Sequence, residues 1–239
     1  YKICIFVSCK TMIGIYFIGI VFFIISMLVS SRLKSKFKKY AAIHLKSGLS
    51  GAEVAKKMLN DFGIYDVQVV SVEGQLTDHY NPLTKTVNLS RDVYYERNVS
   101  AAAVAAHECG HAVQHAQSYA FLQMRSMMVP AVQVSSNMAQ LLLSLGIMLM
   151  FMSGIEIVLF IGVVLFAIST LFAFITLPVE FDASSRALSW IKTSNTLGYE
   201  QQDKAFTALK WAAMTYVVAA LASLASLLYY ASMLLGRRD

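Results

Sequence analysis

Four long apolar stretches interrupt the chain, and each has enough residues to cross a bilayer as a helix, which takes about 20. They cover residues 11–30, 129–152, 155–177 and 212–235. Only Ser153 and Gly154 separate the second stretch from the third, which predicts a tight helical hairpin. The first stretch is longer than the apolar part of a cleavable signal peptide, about 7–15 residues. We therefore interpret it as an uncleaved anchor, and because the sequence begins at Tyr1 and not at Met, we expect the natural N-terminus to differ.

The segment between the first two apolar stretches is more polar and has the periodicities of a small α+β domain. Apolar residues recur there at helical spacing, β-branched residues form short runs, and turn residues separate them. The predicted elements are a helix at residues 48–63, a strand at 67–72, a hairpin that turns at Asn81-Pro82 and returns along Thr86–Ser90, a short helix at 91–97 and an alanine-rich helix at 99–119.

Composition and charge identify a membrane protein. Hydrophobic residues make up 57% of the 239 residues and charged residues 14%, against about 25% charged residues in a soluble domain. The net charge is +6, but the basic residues form no broad patch of the kind that binds nucleic acid. Five of them cluster in residues 32–39, directly after the first span. Since Lys and Arg are enriched in cytoplasmic loops, this segment is predicted to be cytoplasmic, against anionic lipid headgroups. Arg237 and Arg238 would then lie outside, which weakly opposes the assignment.

The sequence His107-Glu108-Cys109-Gly110-His111 is the main chemical signal. Two histidines four residues apart on a helix lie about 40° apart around its axis and one turn apart along it, so both imidazoles can bind one zinc ion. Glu108 is adjacent and is the predicted general base for the attacking water. Cys109 faces the opposite side and is interpreted as a small core residue, and Gly110 permits close packing of a second backbone.

A catalytic zinc ion needs three protein ligands and an open position for water, so the helix alone is insufficient. The remaining histidines are His44, His79 and His115. Only His115 is near, but it lies about 12 Å along the helix from His107, and we interpret it as structural or as a partner of a ligand. Glu156 is separated from the helix by a ~30 Å crossing. Glu180 and Asp182 follow the return crossing, after a helix break predicted at Pro178, and both are candidates; a solvated acid at the interface is the alternative.

Several segments, in the same order, resemble the bacterial neutral zinc membrane metallopeptidases of the YugP type, distant relatives of the HtpX and CAAX-prenyl-protease group of gluzincins. They are GLSGAEVAKKML, VEGQLTDHYNPLTKTVNLS, VAAHECGHAVQHAQSYA and TLPVEFDASSRAL. The resemblance implies a membrane-bound zinc endopeptidase with one Zn²⁺, and it places the third ligand at Glu180. The wider group has Glu-x-x-Ala-Asp here, with the Asp supporting a ligand. This chain has Ser184 at that place, which leaves the supporting role open, with Asp182 as a candidate.

These observations together predict an α-helical membrane protein with about four transmembrane helices and a small α+β, zincin-like metalloprotease domain. The predicted parts are a membrane anchor at residues 1–31, the zincin-like domain at 40–126, a transmembrane hairpin at 127–178, a segment with the third zinc ligand at 179–210 and a C-terminal transmembrane helix at 211–236.

The leading functional hypothesis is an endopeptidase of the plasma or inner membrane that cleaves polypeptides, membrane proteins among them, on the cytoplasmic side. Candidate donors to the oxyanion are His79, Tyr80 and Arg186, with ordinary surface residues as the alternative. Candidate residues of an edge strand that pairs with substrate are Thr86, Val87 and Asn88, with an interior strand as the alternative.

Three other functions were weighed. A catalytically silent scaffold with structural zinc would need a fourth protein ligand, often Cys, and would have no use for Glu108, which is not a ligand. An intramembrane protease of the site-2 type needs an Asp from a later span, and the last three apolar stretches contain none. A transporter needs polar residues within its spans; Gln133, Asn137 and Gln140 fit that need, and they equally fit helix contacts.

Overall fold

The computed structural model describes the backbone of residues 2–236 and the side chains of residues 13–236. Tyr1 and the basic pair Arg237 and Arg238, which entered the predictions of the N-terminus and of orientation, lie outside the described residues. The elements are α1 (Lys2–Ala41), α2 (Gly51–Asp61), β1 (Gln68–Val72), β2 (His79–Asn81), β3 (Thr86–Ser90), α3 (Arg91–Tyr95), α4 (Val99–Ala116), α5 (Ala120–Ser153), α6 (Ile157–Thr193) and α7 (Tyr199–Leu235).

Four of these helices are long and apolar enough to cross a membrane, which confirms the predicted fold class. The qualifying segments within the described residues are Ile13–Ala41, Ala120–Ser153, Ile157–Thr193 and Tyr199–Leu235. Each helix extends beyond its apolar stretch into polar sequence, so the predicted span boundaries fall inside longer helices.

The chain divides into two compact units, and the first consists of the apolar parts of the long helices. It comprises the residues up to Leu28, Met124–Thr176 and the residues from Thr215 onward. Helices α5 and α6 form the predicted hairpin, with Gly154 in the left-handed region (φ 72°) at the turn. The two helices approach closely at Gly146. A Cβ added to this glycine would lie 2.4 Å from the backbone nitrogen of Leu159, so a larger residue would not fit there.

The second unit contains the α+β elements, in Val29–Gln123 and Leu177–Met214. Its three-stranded sheet has the order β1-β3-β2, with β1 parallel and β2 antiparallel to β3. The predicted β2-β3 hairpin is confirmed. The prediction of Thr86, Val87 and Asn88 as a free edge is wrong, because β1 occupies the side of β3 that β2 leaves open.

Helix α4 lies at the centre of the second unit and contacts α2, α3, β2 and β3. The small alanines of its first three turns are almost completely buried and let these neighbours approach. Asn98 caps the helix by accepting a hydrogen bond from the backbone N–H of Ala101 at 2.9 Å. Helix α2 begins with a reciprocal capping box between Ser50 and Glu53. The sequence around the histidines therefore lies in a capped and largely buried helix.

Helix α6 continues through Pro178, so the predicted break at this residue is wrong. A proline removes one backbone hydrogen bond, which long apolar helices tolerate when neighbouring groups compensate. Val179, directly after the proline, is fully buried. As a consequence, Glu180 and Ser184 lie on one continuous helix, four residues apart and on the same face.

Candidate metal centre

Two helices of the second unit meet at a cluster of three potential metal ligands: His107 and His111 from α4 and Glu180 from α6. The Oε2 atom of Glu180 lies 3.3 Å from Nε2 of His107 and 3.7 Å from Nε2 of His111. Ligands bound tetrahedrally at ~2.0–2.1 Å lie about 3.3–3.4 Å from one another. The first distance matches this spacing and the second is about 0.3 Å longer, so the cluster could hold a zinc ion. His107 and His111 were predicted as ligands from the motif, and Glu180 from the family resemblance.

A close approach of the two backbones makes this cluster possible. A Cβ added to Gly110 would lie 2.5 Å from the carbonyl oxygen of Ala183, so only glycine fits between α4 and α6. On the other side of α4, Cys109 is fully buried, with its Sγ 3.5 Å from the carbonyl oxygen of Ala55. Both residues have the roles predicted from the sequence.

Each imidazole is oriented through the nitrogen that does not face the cluster. Nδ1 of His107 lies 3.1 Å from Oγ of Ser184, and Nδ1 of His111 lies 3.0 Å from Oε1 of Gln114. A proton on each Nδ1, donated to these oxygens, leaves the Nε2 lone pairs free for a metal. Ser184 thus contacts a candidate ligand, at the place where the resemblance implies an Asp in the wider group.

Gln114 is a part of the site that the sequence did not indicate. It is completely buried, and its side-chain amide donates to the carbonyl oxygen of Val179 and to Oδ2 of Asp182, both at 2.8 Å. With both N–H groups engaged on α6, its oxygen is fixed toward His111. Asp182 therefore supports a histidine indirectly, through Gln114, and it does not join the three-residue ligand cluster.

The guanidinium of Arg186 completes this chain of contacts. Its Nε donates to Oδ2 of Asp182 at 2.5 Å, and its NH1 donates to the side-chain oxygen of Gln117. The ring of Tyr119 lies 5.8 Å from the guanidinium carbon. Arg186, predicted as an oxyanion donor, is thus engaged in holding Asp182.

Glu108 is buried beside the ligands, with 8% of its surface exposed. Burial raises the pKa of Glu108 to about 7; the neighbouring His107 opposes this shift and the negative charge of Glu180 adds to it. A carboxyl group with a pKa near neutrality can both accept and release a proton, which is what a general acid–base requires.

The short strand β2 contributes the two other predicted oxyanion donors. The hydroxyl of Tyr80 lies 2.7 Å from Nδ1 of His115, four residues beyond His111 on α4. Burial raises the pKa of Tyr80 to about 12, so the hydroxyl stays protonated. His79 is exposed, and its Nδ1 lies 2.7 Å from the carbonyl oxygen of Thr77. His115 is thus a structural partner of β2, and the oxyanion roles of Tyr80 and His79 stay predictions.

Among the described residues, the fold and the site together define a helical protein with four helices able to span a membrane and a His–His–Glu cluster able to bind a metal ion. The family model described as "Putative neutral zinc metallopeptidase" matches residues 15–235, and the chain belongs to this family. It is 42% identical over 215 residues to the protein named "Putative membrane protease YugP" of Bacillus subtilis (strain 168). The aligned residues cover 90% of this chain and 94% of that protein. No solved structure gives a significant match to the chain.

Proposed function

We propose that this protein is a gluzincin-like, membrane-embedded zinc endopeptidase with Glu108 as its general base. The observation that supports this most directly is the placement of three potential ligand atoms within 4.8 Å of one another, with the buried Glu108 following the first of these residues on the same helix. A structural zinc site would need no such carboxylate beside the ligands.

A zinc ion held by His107, His111 and Glu180 would polarise the scissile carbonyl and lower the pKa of water at the site toward 7. Glu108 accepts the proton of the attacking water on its carboxylate and delivers it to the leaving amide nitrogen. Its pKa, raised by burial, suits both steps. Ser184 and Gln114 hold the two imidazoles so that the ligand atoms need little reorganisation.

We expect polypeptide substrates to bind in an extended conformation beside β2. This strand is an edge of the sheet, contacts α4, and places Tyr80 against His115. Pairing with a strand edge uses main-chain hydrogen bonds and therefore tolerates many sequences. The site is proposed to face the cytoplasm, since the basic cluster at residues 32–39 lies on the same compact unit as the three ligands.

Cleavage of casein by the purified, zinc-loaded protein tests this function. Glu108→Gln keeps the size and shape of the side chain but removes the base, so we expect it to retain zinc and to lose about 10²–10⁴-fold in rate. Glu200→Gln, at an exposed acid in the first turn of α7, is the matched control and should cleave as the wild type does.

Equal cleavage by wild type and Glu108→Gln would remove Glu108 as the base and overturn the proposed mechanism. A zinc-loaded wild type that cleaves no polypeptide would instead favour the zinc-binding scaffold.

A further inference from the structure

A chain of polar side chains leads from His111 of the metal centre toward the surface of the second compact unit. Nδ1 of His111 lies 3.0 Å from Oε1 of Gln114, and the amide nitrogen of Gln114 lies 2.8 Å from Oδ2 of Asp182. The same Oδ2 accepts a hydrogen bond from Nε of Arg186 at 2.5 Å. Gln114 is completely buried, whereas the side chains of Asp182 and Arg186 are 30% and 22% exposed. These contacts therefore join a buried candidate ligand to an ion pair near the surface.

The hydrogen bonds of this chain run in one direction. A guanidinium only donates, and a carboxylate and a backbone carbonyl only accept. The amide nitrogen of Gln114 faces two such acceptors on α6, Oδ2 of Asp182 and the carbonyl oxygen of Val179, each at 2.8 Å. A reversed amide would bring its oxygen against both acceptors and would lose two hydrogen bonds in a buried place. The amide oxygen of Gln114 therefore faces His111.

This orientation decides which ring nitrogen of His111 carries the proton. A neutral imidazole has one protonated nitrogen, and a metal binds to the other. Opposite an amide oxygen, Nδ1 keeps the proton and Nε2 is open to a metal; opposite a reversed amide, Nδ1 would accept an N–H and the proton would lie on Nε2. Oε2 of Glu180, 3.7 Å from Nε2, attracts the proton to that nitrogen, and Gln114 counteracts this attraction.

The partner of the other histidine makes no such choice. Nδ1 of His107 lies 3.1 Å from the hydroxyl oxygen of Ser184. Since a hydroxyl both donates and accepts, it pairs with Nδ1 in either protonation state by rotating its hydrogen. His111 differs from His107 in having a partner whose orientation is fixed by residues further away.

Arg186 holds the part of this chain that is free to turn. The carbonyl of Val179 belongs to the backbone of α6, but the partly exposed carboxylate of Asp182 can rotate toward water. Arg186 binds this carboxylate from one turn further along α6, and it also donates to the side-chain oxygen of Gln117, at the end of α4. The guanidinium thus fixes Asp182 between the two helices that carry the candidate ligands.

We propose that Asp182 and Arg186 are positioning residues that act through Gln114 to keep the proton of His111 on Nδ1 and so leave Nε2 for zinc. The inference rests on the proposed function, because it takes His111 as a zinc ligand. Asp182 acts through one intervening side chain and Arg186 through two. Groups that orient a metal ligand in this way typically change metal affinity about 10–100-fold when they are lost.

The zinc affinity of full-length variants, measured by chelator competition in detergent, tests this role. Arg186→Met keeps the length of the side chain but removes its donors, and its affinity should fall about 10-fold. Arg97→Met is the matched control, because Arg97 also donates to a carboxylate, that of Glu53, and to a neutral oxygen, the carbonyl of Gly48, at a contact that includes no candidate ligand. It should bind zinc as the wild type does.

Asp182 offers a conservative variant and a disruptive one. Asp182→Asn retains one oxygen that can accept from both Gln114 and Arg186, so its zinc affinity should stay close to that of wild type. Asp182→Leu has a similar volume but no acceptor, and its affinity should fall about 10–100-fold. Equal affinities in the two variants would overturn the role of Asp182.

A double-mutant cycle and a spectroscopic measurement test the route through Gln114. In Gln114→Leu, which lacks the amide, Arg186→Met should cause no further loss of zinc affinity. Nitrogen NMR of labelled histidine in the metal-free protein, in alkaline buffer, should show the His111 proton on Nδ1 in wild type and shared with Nε2 in Arg186→Met. The variant His111→Asn identifies the signals.

Four results would overturn this inference alone: wild-type affinity in Arg186→Met, an equal loss in Arg97→Met, additive losses in the cycle, or a proton on Nε2 of His111 in wild type. A wild type that binds no zinc would overturn the proposed function as well.

Discussion

Substituting Gly110 by Ala perturbs the contact between α4 and α6 that brings the ligands together. The added Cβ would lie 2.5 Å from the carbonyl oxygen of Ala183, and its next contacts, at 3.0 and 3.1 Å, are also backbone atoms of Ala183. Backbone atoms cannot rotate away as a side-chain end can. Restoring an ordinary contact of 3.4 Å requires the helices to separate by about 0.9 Å.

This shift is large compared with the tolerance of a metal site, about 0.2 Å in ligand distances. Ala183 lies between Glu180 and Ser184 on α6, so a displaced helix moves both the third ligand and the group that orients His107. We expect zinc affinity to fall about 10–100-fold, as for the loss of other groups that support ligands. Overpacking should also cost about 1–3 kcal/mol of stability.

Zinc affinity is measured by competition with a chromophoric chelator, and stability by thermal unfolding in the same detergent. Gly51→Ala is the matched control, since its Cβ would lie 2.0 Å from the carbonyl oxygen of Val93, at a contact that includes no ligand. It should lose stability and keep its zinc affinity. Wild-type affinity in Gly110→Ala, or an equal loss of affinity in both variants, would refute the reasoning.

Three further predictions concern ligand support, pH and orientation. Gln114→Leu leaves Nδ1 of His111 without its acceptor and should weaken zinc binding about 10–100-fold; wild-type affinity in chelator competition would contradict this. Burial raises the pKa of Asp78, so its contribution to stability is present below the unfolded value of 3.8 and is lost as pH rises through the folded value. The melting temperature should accordingly fall less steeply above pH 3.8 in Asp78→Asn than in wild type. Cysteines introduced at the exposed Ala116 and Lys192 should react with an impermeant reagent only after cells are opened, and labelling of intact cells would mean the opposite orientation.

Much of the centre is predictable because it depends on local helical geometry. The four-residue spacing of His107 and His111 fixes their common face, and the apolar stretches fix the number of spans. The choice of Glu180 as the third candidate ligand follows from counting crossings together with the resemblance, because a hairpin must return the chain to the side from which it left. These features need no knowledge of which side chains touch.

The remaining features depend on contacts between distant segments. Gln114 orients His111 only because Val179 and Asp182, 65 and 68 residues later, bind its amide; the sequence shows it merely as a polar position on α4. Ser184 supports His107 because Gly110 lets the helices approach. The central place of β3 is set by its parallel pairing with β1, which strand patterns alone do not determine.

The zinc content of Glu180→Ala, compared with that of Glu108→Gln, tests the central claim most directly. Both residues are buried acids of the same centre, but only Glu180 is assigned as a ligand. Measured by elemental analysis after removal of free metal, wild type and Glu108→Gln should each contain about one zinc ion per chain, as a three-ligand catalytic site requires, and Glu180→Ala should contain almost none. Full occupancy in Glu180→Ala, or loss of zinc in Glu108→Gln alone, would contradict the assignment of His107, His111 and Glu180 as the metal centre.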